Sequence, residues 1–297
     1  MRTLSVVGAR PQFVKLAPVS RAMKWLKSAG DVELEDIIVH TGQHYDRNMS
    51  DVFFGQLEIP PPAVDLGIGS GSHGAQTARM IEALEETIGS YAPDVVVVYG
   101  DTNSTLAAAI AASKLNVPLA HIEAGLRSFD RAMPEENNRV VADHLSDMLF
   151  APTETAMQNL AAENLVVRAQ LVGDVMLDAV RFNALLAENK SDILKRLGLA
   201  AGEFAVATLH RAANTDSDRL RVLLDSLNAV ASDQIPVIFP AHPRTVASIR
   251  DTLGDWRPDE RLVMIDPVSY LDMLQLLQNA AVALTDSGGL QKEALFV

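Results

Sequence analysis

Three carboxylates in the middle of the chain lie where predicted strands end or helices begin. Asp101 follows the apolar run Val95–Tyr99. Glu123 follows the next apolar run, Pro118–Ile122, and Glu135 lies in the first turn of the helix predicted after it. Carboxyl groups gathered around one crevice are side chains that general acid–base catalysis uses. The spacing of these acids is therefore the first indication of function.

The elements that must position the acids are two strands and the helical run between them, from about Thr102 to Leu115. Continuous apolar runs joined by a crossover helix are typical of neighbouring parallel strands, whose carboxyl ends open on the same crevice. Glu135 and its neighbour Glu136 also have a simpler interpretation, because acids in a first turn complement the helix dipole. Arg139, one turn further, is placed to pair with either glutamate.

Two cations follow the first predicted strand, Leu4–Val7. Arg10 and Lys15 fall in the loop and the first turns of a helical pattern that opens at Pro11. A helix start with nearby cations is suited to binding an anion, but two solvated surface charges explain the same residues equally well. Pro18 lies inside the pattern and is expected to kink or divide the helix.

The alternation of strands and helices starts again at about residue 171. Apolar strands are predicted at Leu171–Gly173, Phe204–Leu209, Pro236–Pro240, Arg261–Ile265 and Ala281–Thr285. Two consecutive arrays of this kind predict an α/β protein of two Rossmann-like domains, residues 1–170 and residues 171–297, that face a cleft.

A polar turn follows the last of these strands. It reads Asp286-Ser287-Gly288-Gly289 and precedes a helix that contains Glu293. Glycines let a ligand approach the backbone, and the first turn of a helix offers N–H groups to a pyrophosphate. Glu293 could then accept hydrogen bonds from the hydroxyls of a ribose, although a plain serine cap followed by glycines would look the same.

His210 and His242 also follow predicted strands, but their spacing is not that of metal ligands.

Composition excludes several classes of function. The 297 residues have a formal net charge of −13 and no cysteine. The diffuse acidity disfavours a nucleic-acid or membrane-surface partner, and the lack of thiols excludes disulfides and thiolate metal sites and fits a reducing cytoplasm. No stretch approaches the roughly 20 apolar residues of a membrane span, and the N-terminus lacks the apolar run of a signal peptide.

Several segments together resemble one enzyme family. They are GARPQFVKLAPV, TGQHYDRNMSDVFF, YGDTNSTLA, HIEAGLRS, MPEENNR, TLHRAANTD and LTDSGGLQKEA. In this order and over essentially the whole chain, they are similar to the non-hydrolysing UDP-N-acetylglucosamine 2-epimerases. The resemblance implies the glycosyltransferase B fold, with the nucleotide sugar between two domains, and reversible inversion at C2 that yields UDP-N-acetylmannosamine.

The mechanism implied by the resemblance is anti elimination of UDP to a 2-acetamidoglucal, followed by re-addition of UDP with the proton returned to the opposite face. The implied acid–base set is Asp101, Glu123 and Glu135, with His210 near the diphosphate. Substrate contacts are implied for Arg10, Lys15, Asp101, Glu123, His210, Val268, Met273, Ser287, Gly288, Gly289 and Glu293. The resemblance implies no metal and no cofactor, a homodimer, and a role in cell-surface polysaccharide biosynthesis. Which acid removes the proton stays open.

Some members of the family bind a second UDP-sugar as an activator. The resemblance places Gln43, His44 and Gln76 in that region. Two features depart from the family pattern: Ala213 stands where an acid is common, and the chain stops at Val297, inside a helix after which members continue. The second domain is therefore expected to be truncated, and a protein that ends there to be poorly stable or inactive.

Three other functions remain open. The substrate could instead be UDP-2,3-diacetamido-2,3-dideoxy-glucuronate, which the motifs do not distinguish from UDP-N-acetylglucosamine. A UDP-sugar glycosyltransferase shares the fold but needs no cluster of three acids. A UDP-sugar sensor would bind the ligand without exchanging the C2 proton.

Overall fold

The structure is a computed structural model that describes residues 1–30, 33–43, 54–209, 214, 217–233 and 235–297. His44, His210 and Ala213 lie outside these residues. The chain divides into two compact units, Met1–Ala179 and Val180–Val297. Each unit contains a parallel sheet with helices, so the predicted α/β class is confirmed.

The strands of the described residues are short and belong to two sheets. They are β1 (Arg2–Val7), β2 (Glu35–His40), β3 (Val64–Asp65), β4 (Val95–Tyr99), β5 (Leu119–Ile122), β6 (Met148–Ala151), β7 (Ala169–Leu171), β8 (Ala205–Thr208), β9 (Val237–Pro240), β10 (Leu262–Ile265) and β11 (Val282–Thr285).

Helices connect most of these strands. They are α1 (Arg10–Ala29), α2 (His73–Tyr91), α3 (Asn103–Leu115), α4 (Pro134–Leu145), α5 (Glu154–Ala162), α6 (Val175–Lys190), α7 (Ile193–Leu197), α8 (Ser217–Asp233), α9 (Pro243–Thr252), α10 (Tyr270–Asn279) and α11 (Gly288–Phe296), with a 3₁₀ turn at Val166–Arg168. In the described part of the chain, none of them is long and apolar enough to cross a membrane.

The first sheet has the strand order β3-β2-β1-β4-β5-β6-β7, with every pair parallel. The order reverses beside β1, so the carboxyl ends of β1 and β4 form the topological switch point at which such sheets bind ligands. Its core joins Leu4, Val6, Val96 and Val98 of the central strands to the alanine-rich face of α3. Small alanines let that helix lie close to the strand ends that bear the acids.

The second sheet has the order β10-β9-β8-β11, again parallel throughout. Its switch point lies between β8 and β11, and α11 starts directly beyond β11. Cores on the two faces of the sheet include Phe239 and Leu224 on one side and Phe204 and Leu276 on the other. The turn at Ser287 therefore lies where the topology favours a ligand.

Most predicted elements are confirmed to within two residues, but one strand belongs to the other sheet and one helix is not divided. The strand predicted at Leu171–Gly173 to open the second array is β7, which pairs with β6 as the edge of the first sheet. Pro18 does not divide α1, which runs unbroken from Arg10 to Ala29. The cost of an internal proline, about 3 kcal/mol, is offset because Phe13 and Leu16 are buried on the same helix.

Candidate active site

Asp101 and Glu123 follow neighbouring strands, as the sequence predicts. Tyr99 and Ile122 are paired at the ends of β4 and β5, and the N–H of Gly100 donates to the carbonyl of Ile122 at 3.0 Å. Neighbouring strands lie about 4.8 Å apart, so the backbones that lead into the two acids are held side by side.

Asp101 is bound by the start of α4. Its carboxylate forms an ion pair with the guanidinium of Arg139, and its carbonyl accepts a hydrogen bond from Asn138 Nδ2 at 2.9 Å. The side chain keeps 28% of its surface exposed, so one edge of the carboxylate remains open. Asp101 is thus oriented by a neighbouring helix and still accessible to a substrate.

Glu123 is held by a buried cation. Its Oε2 lies 2.9 Å from Lys15 Nζ, and each side chain exposes 8% of its surface. Glu123 also has a φ of 75°, a left-handed conformation that costs a non-glycine residue roughly 1–3 kcal/mol. The ion pair and the strained backbone together fix the carboxylate at the end of β5. The same ion pair shows that Lys15 is buried against an acid and is not a solvated surface charge.

Glycine at position 100 suits both the backbone conformation and the surroundings. Its φ is 63°, and a Cβ at this position would come within 2.8 Å of Lys15 Nζ. The glycine between β4 and Asp101 therefore makes room for the lysine that pairs with Glu123. Lys15 of α1 therefore packs against the residue after β4 and pairs with the acid after β5.

Of the two glutamates at the start of α4, Glu136 is buried and Glu135 is exposed. Glu136 accepts hydrogen bonds from the N–H groups of Ser128 at 2.9 Å and Phe129 at 3.0 Å, and from Arg139 at 2.8 Å. Burial alone would raise the pKa of Glu136, but these N–H donors and the charge of Arg139 lower it. Glu136 thus holds the loop before α4, where Phe129 has a φ of 58°.

The loop after β1 is anchored by a residue that the sequence analysis did not single out. Gln12 Oε1 accepts from the N–H groups of Gly8 at 2.8 Å and Ala9 at 3.1 Å, and its Nε2 donates to the carbonyl of Tyr99 at 3.0 Å. This side chain links the start of α1 to the end of β4. Arg10 is the half-buried first residue of the same helix.

Gln43 and Gln76, predicted for an activator site, contact each other and the start of α3. Gln76 Nε2 donates to the carbonyl of Gln43 at 3.3 Å, and Gln43 Oε1 accepts from the hydroxyl of Ser104 at 2.7 Å. Gln76 Oε1 accepts from Asn103 Nδ2 at 2.9 Å, and Asn103 Oδ1 in turn accepts from Asn138. A chain of amides therefore connects this region to the backbone of Asp101. An activator role for these residues stays a prediction.

A buried cluster of charges lies beneath the acid-bearing loops. Asp143 on α4 accepts from His121 Nδ1 at 2.7 Å, from the N–H of Gly125 at 3.0 Å and from Arg127 at 2.7 Å. Arg127 also donates twice to Glu163, each time at 2.7 Å. Burial alone would raise the pKa of Asp143, but the hydrogen bond and charge of His121 and the charge of Arg127 lower it. Sequence alone gave no signal for this cluster, because its members lie on four separate segments.

In the second unit, Ser287 caps α11, since its hydroxyl accepts from the N–H of Leu290 at 3.4 Å. Gly288 and Gly289 are exposed, neither has a positive φ, and a Cβ at Gly288 would meet nothing within 4 Å. The fold itself does not require glycine there, which favours an approach of a ligand to the backbone. Asp286 Oδ2 accepts from Asn214 Nδ2 at 2.7 Å, and Glu293 is buried with 6% of its surface exposed.

The family resemblance implies that Val268 and Met273 contact the base of the nucleotide, and both residues lie against the core of the second unit. Met273 is buried among Phe204, Val206 and Leu276, and Val268 packs against the same cluster. Their contact with a base stays a prediction. In the described ranges, no group of three histidine or acidic side chains is arranged to hold a metal ion.

Comparisons with known proteins give a consistent result. A sequence profile of the family described as UDP-N-acetylglucosamine 2-epimerase matches residues 26–297. A UDP-N-acetylglucosamine 2-epimerase homolog of Methanococcus maripaludis is 50% identical and is matched over 100% of this chain and 82% of its own length. The UDP-2,3-diacetamido-2,3-dideoxy-D-glucuronate 2-epimerase of Pseudomonas aeruginosa is 49% identical over 100% of this chain and 81% of its own length.

A solved structure agrees with these sequence matches. The UDP-N-acetylglucosamine 2-epimerase of Methanocaldococcus jannaschii, crystallised with UDP-N-acetylglucosamine and UDP, superposes with a TM-score of 0.88 at 40% identity. The match covers 100% of this chain and 82% of that one.

Proposed function

Because the chain belongs to the UDP-N-acetylglucosamine 2-epimerase family, and is therefore an isomerase, we propose that it inverts C2 of UDP-N-acetylglucosamine. The reaction proceeds by loss of the C2 proton and of UDP from C1, which leaves a 2-acetamidoglucal. UDP then adds back to C1 while C2 receives a proton on the opposite face, giving UDP-N-acetylmannosamine.

One observation supports this proposal above the others. Asp101 and Glu123 follow adjacent parallel strands, and each is oriented by its own cation, Arg139 and Lys15. A reaction that removes a proton from one face and returns it to the other needs two fixed acid–base groups. Glu135, exposed at the start of α4, is the third member of the proposed set.

The departing diphosphate needs donors that hold it while the glycal waits. We assign this role to Arg10, to His210 and to the N–H groups at Ser287, Gly288 and Gly289, with Glu293 on the ribose. The positive charge of Lys15 also suits contact with the diphosphate. Its buried ion pair with Glu123, however, favours a role in orienting that acid. Preorganised donors at a developing charge contribute about 10²–10³-fold each to a rate.

A second candidate substrate is UDP-2,3-diacetamido-2,3-dideoxy-glucuronate. The observation that favours it is the Pseudomonas aeruginosa enzyme of that specificity, which is 49% identical over the whole chain. The same acids would act at C2, because both sugars bear an acetamido group there. The two candidate substrates therefore differ in their substituents at C3 and C6, whereas the proton transfer at C2 is the same for both.

The deciding experiment incubates the protein in heavy water with each of the two UDP-sugars and measures deuterium at C2 by mass spectrometry and NMR. Deuterium in both C2 epimers of one sugar supports epimerisation of that sugar, and the faster substrate identifies the specificity. Transfer of the sugar to an acceptor without deuterium at C2 would indicate a glycosyltransferase. Binding without exchange would indicate a sensor.

Other properties implied by the family resemblance stay predictions: the homodimer, the activating second UDP-sugar, the cytoplasmic location and the role in cell-surface polysaccharide biosynthesis. A sigmoidal dependence of rate on substrate would support the activator, and a hyperbolic one would oppose it. Sedimentation of the protein alone tests the homodimer.

A further inference from the structure

His121 links the two loops that bear the acids, although it does not reach the crevice itself. It lies on β5, two residues before Glu123, and its surface is fully buried. One ring nitrogen, Nδ1, lies 2.7 Å from Asp143 Oδ1. The other, Nε2, lies 2.8 Å from the carbonyl oxygen of Gly100, the residue before Asp101.

Both partners of the ring are acceptors. A carbonyl oxygen can only accept, and an ionised carboxylate can only accept. Asp143 also receives the N–H of Gly125 and the guanidinium of Arg127, which an ionised carboxylate satisfies best. For both contacts of His121 to be hydrogen bonds, Nδ1 and Nε2 must each bear a proton, so the ring is an imidazolium.

The charged groups around the ring balance such a cation. Asp143 comes from α4, Arg127 from the loop after β5, and Glu163 from the end of α5. His144 touches the rim of the cluster, with Nδ1 3.7 Å from Glu163 Oε2. With His121 protonated, two cations and two anions alternate in the buried cluster, which avoids an uncompensated buried charge.

We propose that His121 is a doubly protonated positioning residue that fixes Asp101 through the Gly100 carbonyl and fixes the Glu123 turn through Asp143. The role rests on the proposed epimerisation, in which Asp101 and Glu123 act on one carbon atom. Asp143 completes the link because it accepts from Gly125, two residues beyond Glu123. The imidazolium of His121 and the carboxylate of Asp143 therefore connect the residues that follow β4 with those that follow β5.

The link matters because acid–base catalysis depends on distance. A displacement of about 1 Å can lower a rate by about 10²-fold. Glu123 is in a strained left-handed conformation, and Gly100 is left-handed as well. A strained residue such as Glu123 persists only where its surroundings hold it, and the cluster supplies a hydrogen bond to Gly125, two residues further on.

The protonation state is tested without any assay of activity. Protein labelled with ¹⁵N-histidine is examined by long-range ¹H–¹⁵N correlation, which shows which ring nitrogens bear a proton. We expect His121 to bear protons on both nitrogens, because both face acceptors. In Asp143→Asn the ring should become neutral and keep only the proton on Nε2. A neutral His121 ring in the unaltered protein would overturn the proposal.

The positioning role is tested with two substitutions that each mimic one half of the ring. His121→Gln places an amide near the position of Nε2, and His121→Asn places one near that of Nδ1. If the Gly100 contact positions Asp101, we expect kcat to fall about 10²-fold in His121→Asn and only about tenfold in His121→Gln, with KM within about twofold in both.

His144→Gln serves as the control, since this histidine is largely exposed. Unfolding midpoints of all variants are measured beside the kinetics. Equal activity of His121→Asn and the unaltered protein would overturn the positioning role, as would a loss that only follows the fraction of folded protein. If the unaltered protein does not exchange the C2 proton at all, the proposed function fails, while the NMR result still decides the state of His121.

Discussion

Two regions of this protein lie beyond strand ends and differ in how closely other groups surround them. Beyond β4 and β5, the acids Asp101 and Glu123 are tied to cations that come from other elements of the first unit. Beyond β11, Gly288 and Gly289 are exposed, and a Cβ at Gly288 would meet nothing within 4 Å. The first region is filled by its own side chains, whereas the second leaves space around the backbone.

The difference suits the two tasks proposed for these regions. A carboxylate that moves a proton must be held in place before the substrate arrives, because orientation contributes directly to the rate. An anion is bound by the N–H groups of a helix start, which need free approach rather than internal partners. Substitutions in the first region should therefore alter rate or stability, and substitutions in the second should alter affinity alone.

The sharpest test of this contrast is the loss of an acid. We expect Asp101→Asn and Glu123→Gln each to lower deuterium exchange at C2 by about 10²–10⁴-fold, since an amide cannot take up the proton. The measurement is the rate of deuterium incorporation, with Glu86→Gln on the exposed face of α2 as the control. Exchange at more than a tenth of the unaltered rate in both variants would contradict the assignment.

Removing the cation of the buried pair should destabilise the first unit. Lys15→Met leaves Glu123 without its buried partner, and breaking such a pair costs about 3–5 kcal/mol. Denaturant unfolding measures this loss. Lys24→Met, at an exposed position of the same helix, should change stability by less than about 0.5 kcal/mol.

The double variant Lys15→Met with Glu123→Met sharpens the same comparison. Replacing both partners by apolar side chains is often neutral. We expect most of the lost stability to return while activity stays absent. A Lys15→Met protein as stable as the unaltered one would show that the pair does not hold Glu123.

The adjacent glutamates at the start of α4 should separate stability from catalysis. Glu136→Gln replaces one of the two carboxylate oxygens by an amide NH₂ group, which then faces the N–H of either Ser128 or Phe129, so we expect a loss of about 1–3 kcal/mol in unfolding experiments. Glu135→Gln is exposed and should leave stability within about 0.5 kcal/mol while it lowers exchange at C2. If Glu135→Gln lowered stability and Glu136→Gln lowered only exchange at C2, Glu136 would be the catalytic residue and Glu135 the structural one.

In the second region, Gly288→Ala should leave the fold intact. Its Cβ meets no neighbour within 4 Å, and alanine suits a helix better than glycine. If a diphosphate lies against this backbone, the added methyl group should weaken binding of UDP about tenfold, equivalent to about 1.4 kcal/mol. Calorimetry measures the affinity of the variant for UDP, and thermal unfolding measures its stability. An unchanged affinity would show that the diphosphate does not bind at this turn.

The smallest expected effect is a pH dependence of stability. The pKa of Glu136 is lowered from its ordinary value of 4.5, so its contribution to stability is complete above that pH. The contribution is lost as the pH falls through the lower pKa of the folded protein. The difference in unfolding free energy between the unaltered protein and Glu136→Gln should therefore shrink below about pH 4.5. A difference that stays constant down to pH 3 would contradict this origin.

Much of the architecture was predictable because it depends on local pattern. Val95–Tyr99 is an uninterrupted apolar run in a parallel array, and Thr153, a residue type that favours helix caps, accepts from the N–H of Ala156. The neighbouring positions of Asp101 and Glu123 followed from the same reasoning, since a crossover of one helix places strands side by side. The edge strand β7 was assigned to the wrong sheet because a short run does not reveal its partner.

The partners of the acids were harder to predict. Arg139 was expected beside Glu135 or Glu136, and the structure pairs it with both Asp101 and Glu136. Lys15 was as compatible with a solvated charge as with a site. Choosing between such interpretations requires knowing which side chains converge, and that depends on how β1, β4, β5 and α4 pack.

The sequence by itself determined the parallel α/β architecture, the strand ends that bear acids, and a family resemblance that the comparisons confirm. Only the tertiary structure decided which glutamate of α4 is buried, that Glu123 is left-handed beside Lys15, and that His121 lies between two acceptors. The physical reason is that strand and helix formation depend on residues close in sequence, whereas burial and charge pairing depend on groups brought together from distant segments.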